Sequence, residues 1–325
     1  MLPRVRTILL IGLWLWTAGT IGTIDSAAAE DMPRFIHSGD GRLRLTSPKS
    51  GASFSGVYRT GAGQYDPAAL VSIRKIFNAP NDDPLAELSL RLIEFIDFLE
   101  DHLRLGARVE IHSGFRSPAY NARLREKGAL AATASLHQYG MAADIKIQGV
   151  DSARVWRYVR KLGFGGAGYY HSDMVHVDVG PARSWDETNS GVGTDISTDN
   201  KLIGLVTDFD AYSAGEQMVL RFIRMTAFPI GVSPEFTLES AGADGRFETM
   251  TTFTPAFPLK AEGACPALED IGAMMNIRYK LPAALPPGRY VIRASFCDKT
   301  WEAMPAQIVT PVFQLVGPSR SKLEG

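Results

Sequence analysis

Length, composition and charge exclude several classes of protein before any motif is considered. The chain has 325 residues, of which 45% are hydrophobic, and its 34 basic and 35 acidic side chains give a formal net charge of -1. The basic residues are dispersed along the chain, so the charge pattern does not indicate nucleic-acid binding. The length is enough for about two domains with substantial cores.

Residues 1–29 have the pattern of an export signal. Arg4 and Arg6 precede an apolar run at 8–16, and three alanines at 27–29 offer a cleavage site. The apolar run is short for a membrane helix, which needs roughly 20 such residues. We therefore expect a periplasmic or secreted protein with no integral membrane span after signal cleavage; an uncleaved anchor is the alternative.

The region 30–186 mixes strands and helices without a regular βαβ repeat, which favours an α+β fold. Asp66-Pro67, Asp83-Pro84 and Asp151 are typical helix starts, and a further helix is expected over 119–127. A glycine-rich turn is expected at 163–168. Strands are expected near residues 42–46, 54–58, 108–112, 142–147, 167–171 and 175–179.

Beyond a polar, glycine-containing linker at 187–201, the pattern changes to short strands broken by Pro and Gly. This spacing over 202–325 predicts an immunoglobulin-like β-sandwich of unknown role. Cys265 and Cys297 both lie there, and in an oxidising compartment they predict a disulfide. The expected strands are at 202–206, 218–223, 275–279, 290–296 and 308–315.

Two histidines and one carboxylate form the clearest candidate for chemistry. His137 and Asp144 lie seven residues apart with Gly140 between them, and His176 follows on a separate predicted strand. This set suits Zn²⁺, although it also suits the Fe²⁺ of oxygenases. Three protein ligands leave a fourth position on zinc for water, as catalytic sites do. The helical zinc-protease pattern H-E-x-x-H is absent.

The same residues carry a family resemblance. The run S-L-H-Q-Y-G-M-A-A-D at 135–144, the D-M-V-H element at 173–176 and the S-G-F-R-S turn at 113–117 resemble the motifs of the D-Ala-D-Ala metallopeptidases. The run G-G-A-G-Y-Y-H-S-D-M-V-H-V-D-V-G is similar to the murein endopeptidase K branch. The resemblance covers about residues 38–186 and implies an antiparallel-sheet zinc peptidase of the lysostaphin, D-Ala-D-Ala peptidase and hedgehog superfamily.

The resemblance also implies roles for the site residues. His137, Asp144 and His176 would hold one Zn²⁺ ion. Asp173 would act as the general base. Arg116 would stabilise the developing oxyanion or hold a substrate carboxylate.

Two further residues near this set are candidates. Asp178, two residues beyond His176, points to the same strand face and competes with Asp173 as the base; its alternative role is to orient a ligand imidazole. His171 is a candidate hydrogen-bond donor to the tetrahedral intermediate.

Other polar and aromatic residues have open interpretations. His112 directly precedes the S-G-F-R-S turn and is a candidate for the site's surroundings. Tyr139, Tyr169 and Tyr170 either shape a substrate groove or pack in the core. We interpret the glycines at 165–168 as a turn before a strand, since no phosphate-loop lysine or helix start follows.

The functional hypothesis is an exported zinc peptidase that acts on peptidoglycan stem or cross-link peptides, with endopeptidase action preferred. The alternatives are a D,D- or L,D-carboxypeptidase, a non-catalytic zinc-containing cell-wall binding protein, and a non-haem iron oxygenase. A wall component or a protein is a possible partner of residues 202–325, by fold-level analogy only.

Overall fold

The computed structural model describes residues 34–83, 86–128, 131–189, 200–258, 265–297 and 299–317. The export signal expected at 1–29 lies outside these ranges. Within them, no helix combines the length and apolar character needed to cross a bilayer.

The first part of the described chain contains a seven-stranded mixed sheet, a separate two-stranded sheet and four α-helices. Its strands are β1 (Arg42–Thr46), β2 (Ser53–Val57), β3 (Arg59–Gly61), β4 (Gln64–Tyr65), β5 (Val109–Ser113), β6 (Ala142–Ile147), β7 (Gly166–Tyr169), β8 (Val175–Asp178) and β9 (Arg183–Asp186). Its helices are α1 (Pro67–Ile76), α2 (Leu90–Arg104), α3 (Pro118–Glu126) and α4 (Ser152–Leu162).

Seven of these strands pair in the order β2-β1-β5-β6-β8-β7-β9. Neighbours are antiparallel except β1 beside β5 and β7 beside β9, which run parallel. The mixed α+β class with mostly antiparallel sheets is therefore confirmed. The predicted strand pair near 42–46 and 54–58 is the β1–β2 hairpin at one edge of this sheet.

Local capping explains the helix starts that the sequence predicts correctly. The Asp66 carboxylate accepts hydrogen bonds from the backbone amides of Ala68 and Ala69, and proline occupies the first position of α1. Asp151 caps α4 in the same way through the amide of Arg154. In both cases the signal lies within four residues of sequence, so no tertiary contact is needed to read it.

The helix start predicted at Asp83-Pro84 is wrong, because α2 begins at Leu90. Residues 86–89 belong to no helix or strand, and the Ser89 amide donates to the carbonyl oxygen of Gly140 at 3.0 Å. Tertiary contact with the loop that carries His137 therefore overrides the local helix signal, whereas Pro84 itself lies outside the described residues.

The region after residue 200 is dominated by strands. Its elements are β10 (Gly204–Thr207), β11 (Ala211–Ser213), β12 (Gln217–Ile223), β13 (Ile230–Gly231), β14 (Phe236–Ala241), β15 (Phe247–Phe253), β16 (Ala267–Leu268), α5 (Ile271–Met274), β17 (Ile277–Lys280), β18 (Gly288–Ser295), β19 (Gln307–Val309) and β20 (Phe313–Val316).

Two sheets account for most of these strands. One has the order β10-β12-β17, and the other has the order β11-β20-β18-β14-β15 with β19 beside β18. The strand expected over 308–315 is divided into β19 and β20 at Pro311. The predicted disulfide between Cys265 and Cys297 is present.

Charged side chains join the two regions. The Arg91 guanidinium on α2 pairs with the Asp210 carboxylate at 2.7 Å, and Arg221 on β12 pairs with Glu87 at 3.1 Å. Of the expected linker 187–201, residues 190–199 lie outside the described chain. Asn200 is fully buried, and its side-chain oxygen accepts hydrogen bonds from the amides of Thr226 and Ala227.

Candidate metal centre

The site is built on a row of residues that runs straight across five strands of the seven-stranded sheet. Ser113 on β5 pairs with Asp144 on β6, which pairs with His176 on β8. His176 in turn pairs with Gly168 on β7, and Gly168 pairs with Trp185 on β9. Directly opposed residues project to the same face of a sheet. The row therefore places the Asp144 carboxylate and the His176 imidazole next to each other.

His137 reaches this face from a tight turn. Residues Leu136–Tyr139 form one turn of 3-10 helix that ends at Gly140, whose φ is 60°. A side chain at position 140 would be strained at this φ and would also lie only 3.0 Å from the Leu88 Cα. Gly140 therefore allows the chain to turn close to residues 86–89. This turn brings the His137 imidazole to Asp144 and His176.

The three predicted ligands lie within contact distance of one another and are all buried. His137 Nε2 is 3.3 Å from His176 Nδ1 and 3.6 Å from Asp144 Oδ1, and His176 Nδ1 is 3.2 Å from the same oxygen. Ligand atoms at the corners of a tetrahedron around zinc, with bonds near 2.0–2.1 Å, are about 3.3 Å apart. The triangle therefore has the dimensions of one face of such a tetrahedron.

The outer nitrogen of each imidazole fixes its tautomer. His137 Nδ1 lies 2.7 Å from the carbonyl oxygen of Gly114, and His176 Nε2 lies 2.9 Å from Asp178 Oδ2. A carbonyl or a carboxylate only accepts, so these nitrogens carry the protons. In the neutral rings the inner nitrogens present bare lone pairs to Asp144. The three converging atoms all carry lone pairs and have no proton between them. They could therefore act together as ligands of a cation.

Burial and neighbouring charges shift the pKa values of the cluster in different directions. Burial raises the pKa of Asp144, but the neighbouring imidazoles outweigh it and hold that pKa well below its usual value. Burial lowers the pKa of His137. For His176, burial also acts to lower the pKa, but hydrogen bonds to Asp144 and Asp178 outweigh it, and the pKa is raised.

Asp178 is fully buried, and both of its oxygens are occupied. Besides His176, it accepts hydrogen bonds from the amides of Gly166 and Gly180 at 3.0 and 2.9 Å and from both terminal nitrogens of Arg183. Burial acts to raise its pKa, but Arg183 and His176 hold it far below the usual range. A saturated, weakly basic carboxylate is a poor general base. The geometry therefore favours the alternative interpretation, in which Asp178 orients His176.

Arg116 and Tyr170 both bind Asp144. Arg116 Nη2 donates to Asp144 Oδ2 at 2.9 Å, and its Nε donates to Ser113 Oγ. The Tyr170 hydroxyl donates to Asp144 Oδ1 at 3.0 Å. Arg116 thus holds the outer oxygen and leaves Oδ1 toward the imidazoles. Of the three tyrosines considered from the sequence, Tyr170 is in the site, while Tyr139 is fully buried.

Asp173 is placed differently from the ligands. Its side chain is 62% exposed and pairs with Lys146 on β6 at 2.6 Å, and the hydrogen bond from Lys146 lowers its pKa. Among the described residues, its carboxylate is not part of the ligand cluster. Lys146 lies two residues beyond Asp144 on β6, so both point to the same face, about 7 Å apart. Asp173 is therefore at the edge of the site.

His171 and His112 lie on opposite sides of the ligands along the sheet. The His171 ring pairs with Asp186 at 2.7 Å, and the residue has a φ of 51°. His112 forms a bulge in β5, because the register shifts between Ile111 and Ser113 opposite Asp144. Bulges of this kind redirect side chains next to functional sites. The structure thus places His112 beside the centre and pairs His171 with the edge strand.

The sequence interpretation missed one feature of the site, the covering of His176 by Trp185. The ring centroids of His176 and Trp185 are 4.7 Å apart, and the indole lies over Gly168, where a Cβ would be 2.7 Å from Trp185 Nε1. Gly166 and Gly168 both belong to β7, so the strand expected at 167–171 is present and begins at Gly166, inside the expected turn at 163–168. Gly166 and Gly168 lie two residues apart, so one face of the strand has no side chains at these positions. This spacing is the sequence signal that an aromatic ring such as Trp185 can pack there.

Comparison with known proteins gives a consistent result for this region. A family described as "Peptidoglycan L,D-endopeptidase MepK" matches residues 38–185. The probable peptidoglycan L,D-endopeptidase MepK of Haemophilus influenzae is 30% identical over 145 residues, which are 44% of this chain and 77% of the relative. The peptidoglycan L,D-endopeptidase MepK of Escherichia coli K12 is 29% identical over 44% of this chain and 79% of the relative.

Solved structures add nothing to this result. The Pseudomonas fluorescens alkylpurine DNA glycosylase AlkC bound to DNA covers 39% of this chain and 38% of its own, at 14% identity and a TM-score of 0.23. Bacillus subtilis Spo0M covers 35% of this chain and 47% of its own, at 10% identity and a TM-score of 0.21. Similarity at this level carries no information on fold or function.

The matches to MepK peptidases define the class of the protein: it is a peptidase, and its mixed sheet carries a buried His-Asp-His cluster that could hold a metal ion. The chain belongs to the MepK peptidase family, which its region 38–185 matches. The predicted family is thereby confirmed.

Proposed function

We propose that this protein is an exported, zinc-dependent hydrolase of peptidoglycan stem or cross-link peptides, acting as an endopeptidase. The observation that carries the proposal is the triangle of converging ligand atoms, His137 Nε2, Asp144 Oδ1 and His176 Nδ1, with edges of 3.2–3.6 Å. The relatives named as L,D-endopeptidases support the substrate class. An L,D-endopeptidase cleaves between an L-centre carbonyl and a D-centre amine.

Zinc is the ion that fits this donor set best. Two imidazole nitrogens and one carboxylate oxygen at tetrahedral spacing match catalytic zinc sites, which keep one further position for water or substrate. In such a site, zinc polarises the scissile carbonyl and lowers the pKa of water toward 7. Fe²⁺ remains the alternative ion for the same residues.

The surrounding residues hold the donors in place. Arg183 and two backbone amides fix Asp178, which fixes the ring of His176, while Gly114 fixes the ring of His137. Arg116 occupies the second oxygen of Asp144, so this carboxylate offers one oxygen to the cluster. The Tyr170 hydroxyl lies 3.0 Å from Asp144 Oδ1, so it is within reach of a substrate oxygen that binds beside the three ligands. His171 would need to leave Asp186 to donate to an intermediate.

Asp173 is our proposed general base. It lies on the short connection between β7 and β8, next in sequence to the strand that carries His176. Its partner Lys146 is one-third exposed, and an exposed ion pair of this kind contributes little stability. Substrate binding can therefore separate the pair, which restores a more basic carboxylate at the edge of the site.

We further propose that the two sheets after residue 202 form an immunoglobulin-like β-sandwich that positions the peptidase on the wall or on a partner protein. The division into an export signal at 1–29, a peptidase region at 30–186, a linker at 187–201 and this second region belongs to the same proposal. The ion pairs of Arg91 with Asp210 and of Arg221 with Glu87 support a fixed arrangement of the two regions.

Digestion of purified muropeptides tests this proposal. Zinc-loaded protein should cleave cross-linked muropeptides, and Asp173→Asn should lower kcat while zinc affinity is retained. Asp82→Asn is the matched control, since Asp82 is exposed and lies in the loop between α1 and α2. Unchanged chromatograms for every cross-link type would contradict the proposal, whereas release of terminal residues alone would identify a carboxypeptidase.

A further inference from the structure

A groove of about 310 Å³ opens directly beside the metal centre. Three of its lining residues contact the ligands: Ser113 opposes Asp144, the Gly114 carbonyl accepts from His137, and Arg116 donates to Asp144. The groove is therefore continuous with the site. It extends between α1 and α3 toward the β1–β2 turn, where Lys49 lies.

The lining of this groove combines an apolar base with two cationic side chains. Its thirteen lining residues include the apolar side chains of Ile76, Ile111, Phe115 and Leu124. They also include Lys49 and Arg116, but none of the thirteen is an aspartate or a glutamate. A groove with this lining attracts an anionic group and repels a cationic one.

The two cations differ in what already binds them. Arg116 is engaged by the Asp144 carboxylate and by Ser113. The Lys49 ammonium lies 5.6 Å from the ring centre of Tyr120, and Arg123 lies over the same ring at 5.8 Å. In the described part of the chain, Lys49 forms no ion pair. Its ammonium is thus the free cation of the groove, held over an aromatic ring at the end away from Asp144.

We propose that this groove is a substrate subsite, and that Lys49 binds a free carboxylate on an aliphatic side chain next to the scissile amide. The apolar base takes the methylene groups, and the ammonium takes the carboxylate. The groove thereby selects peptides that carry an acidic aliphatic residue at the cleavage point over their amidated counterparts. This inference rests on the proposed peptidase function, since it assigns one part of that site's substrate.

Two synthetic peptides test the assignment: one with a free side-chain carboxylate next to the scissile amide, and one with a carboxamide there. Lys49 is exposed, and an ion pair with an exposed lysine corresponds to about a twofold to fivefold preference. We expect this preference for the carboxylate peptide in kcat/KM, mainly through KM, and in the Kd measured by calorimetry with the full zinc-loaded chain. Lys49→Met should abolish the preference without changing the Kd of the carboxamide peptide, and Lys49→Arg should retain part of it.

Lys161→Met is the matched control, because Lys161 is an exposed lysine on α4 outside the groove. It should keep the full preference. A wild-type protein that binds both peptides equally, or a Lys49→Met variant that keeps the preference, would overturn the subsite. If neither peptide is cleaved but the carboxylate peptide still binds more tightly through Lys49, the subsite stands and the peptidase function fails.

Discussion

Replacing Gly168 with alanine perturbs the ligand row at the position where Trp185 covers His176. A Cβ at position 168 would lie 2.7 Å from Trp185 Nε1, whereas real Cβ contacts essentially never fall below 3.0 Å. The indole would have to move, and its neighbours include the His176 ring at 4.7 Å and the Arg183 guanidinium at 5.2 Å from its centre. Overpacking of this kind costs about 1–3 kcal/mol of unfolding free energy.

A double-mutant cycle isolates that contact. Urea unfolding of Gly168→Ala, Trp185→Ala and the double variant gives the coupling energy, which we expect to be about 1–3 kcal/mol. In the Trp185→Ala background, alanine at 168 should cost almost nothing, because the space is open and glycine is itself unfavourable in a strand by about 0.5–1 kcal/mol.

Gly56→Ala is the control for this cycle. Gly56 is also in a strand, but the nearest atom to its added Cβ is 3.6 Å away. It should be neutral or slightly stabilising. Additive effects of Gly168→Ala and Trp185→Ala, within about 0.5 kcal/mol, would refute the role of the glycine as space for the indole.

The remaining predictions concern pH, metal affinity and the disulfide. Burial raises the pKa of Asp97 to about 7, so the contribution of Asp97 to stability falls as pH rises from about 4 to 7. The Tm of Asp97→Asn relative to that of the wild type should therefore increase between pH 5 and 8. A Tm difference that stays constant over this range would contradict this prediction. Asp178→Asn should weaken zinc binding about 10–100-fold in calorimetric titration, because His176 loses its orienting partner; equal affinity would argue against that role. Replacing Cys265 and Cys297 by serine should lower the free energy of unfolding by about 4 kcal/mol, since the bond closes a loop with a sequence separation of 32; an unchanged Tm would exclude this stabilisation.

Features encoded by neighbouring residues were predictable from the sequence. The caps at Asp66 and Asp151 act within four residues, and strand β6 was predicted with its observed bounds, 142–147. The grouping of His137, Asp144 and His176 was also predictable, because their motif fixes which residues converge. Their role as metal ligands remains a prediction.

Features that depend on distant parts of the chain were not predictable in the same way. Asp83-Pro84 is a sound local start signal, yet Ser89 donates to the Gly140 carbonyl and the helix begins only at Leu90. Strand β9 is short and polar, and it is placed by parallel pairing with β7 and by the contact of Arg183 with Asp178. Both carboxylate oxygens of Asp178 accept hydrogen bonds from Arg183 and from two backbone amides, and no sequence pattern indicates these contacts.

X-ray absorption at the zinc edge reports the ligand atoms of a bound ion, so it shows whether His137, Asp144 and His176 bind zinc. We expect one zinc per chain, bound by two imidazole nitrogens and by oxygen at about 2.0–2.1 Å, and loss of this spectrum in His137→Ala and His176→Ala. A protein that binds no zinc, or a spectrum without imidazole that both variants retain, would contradict this expectation.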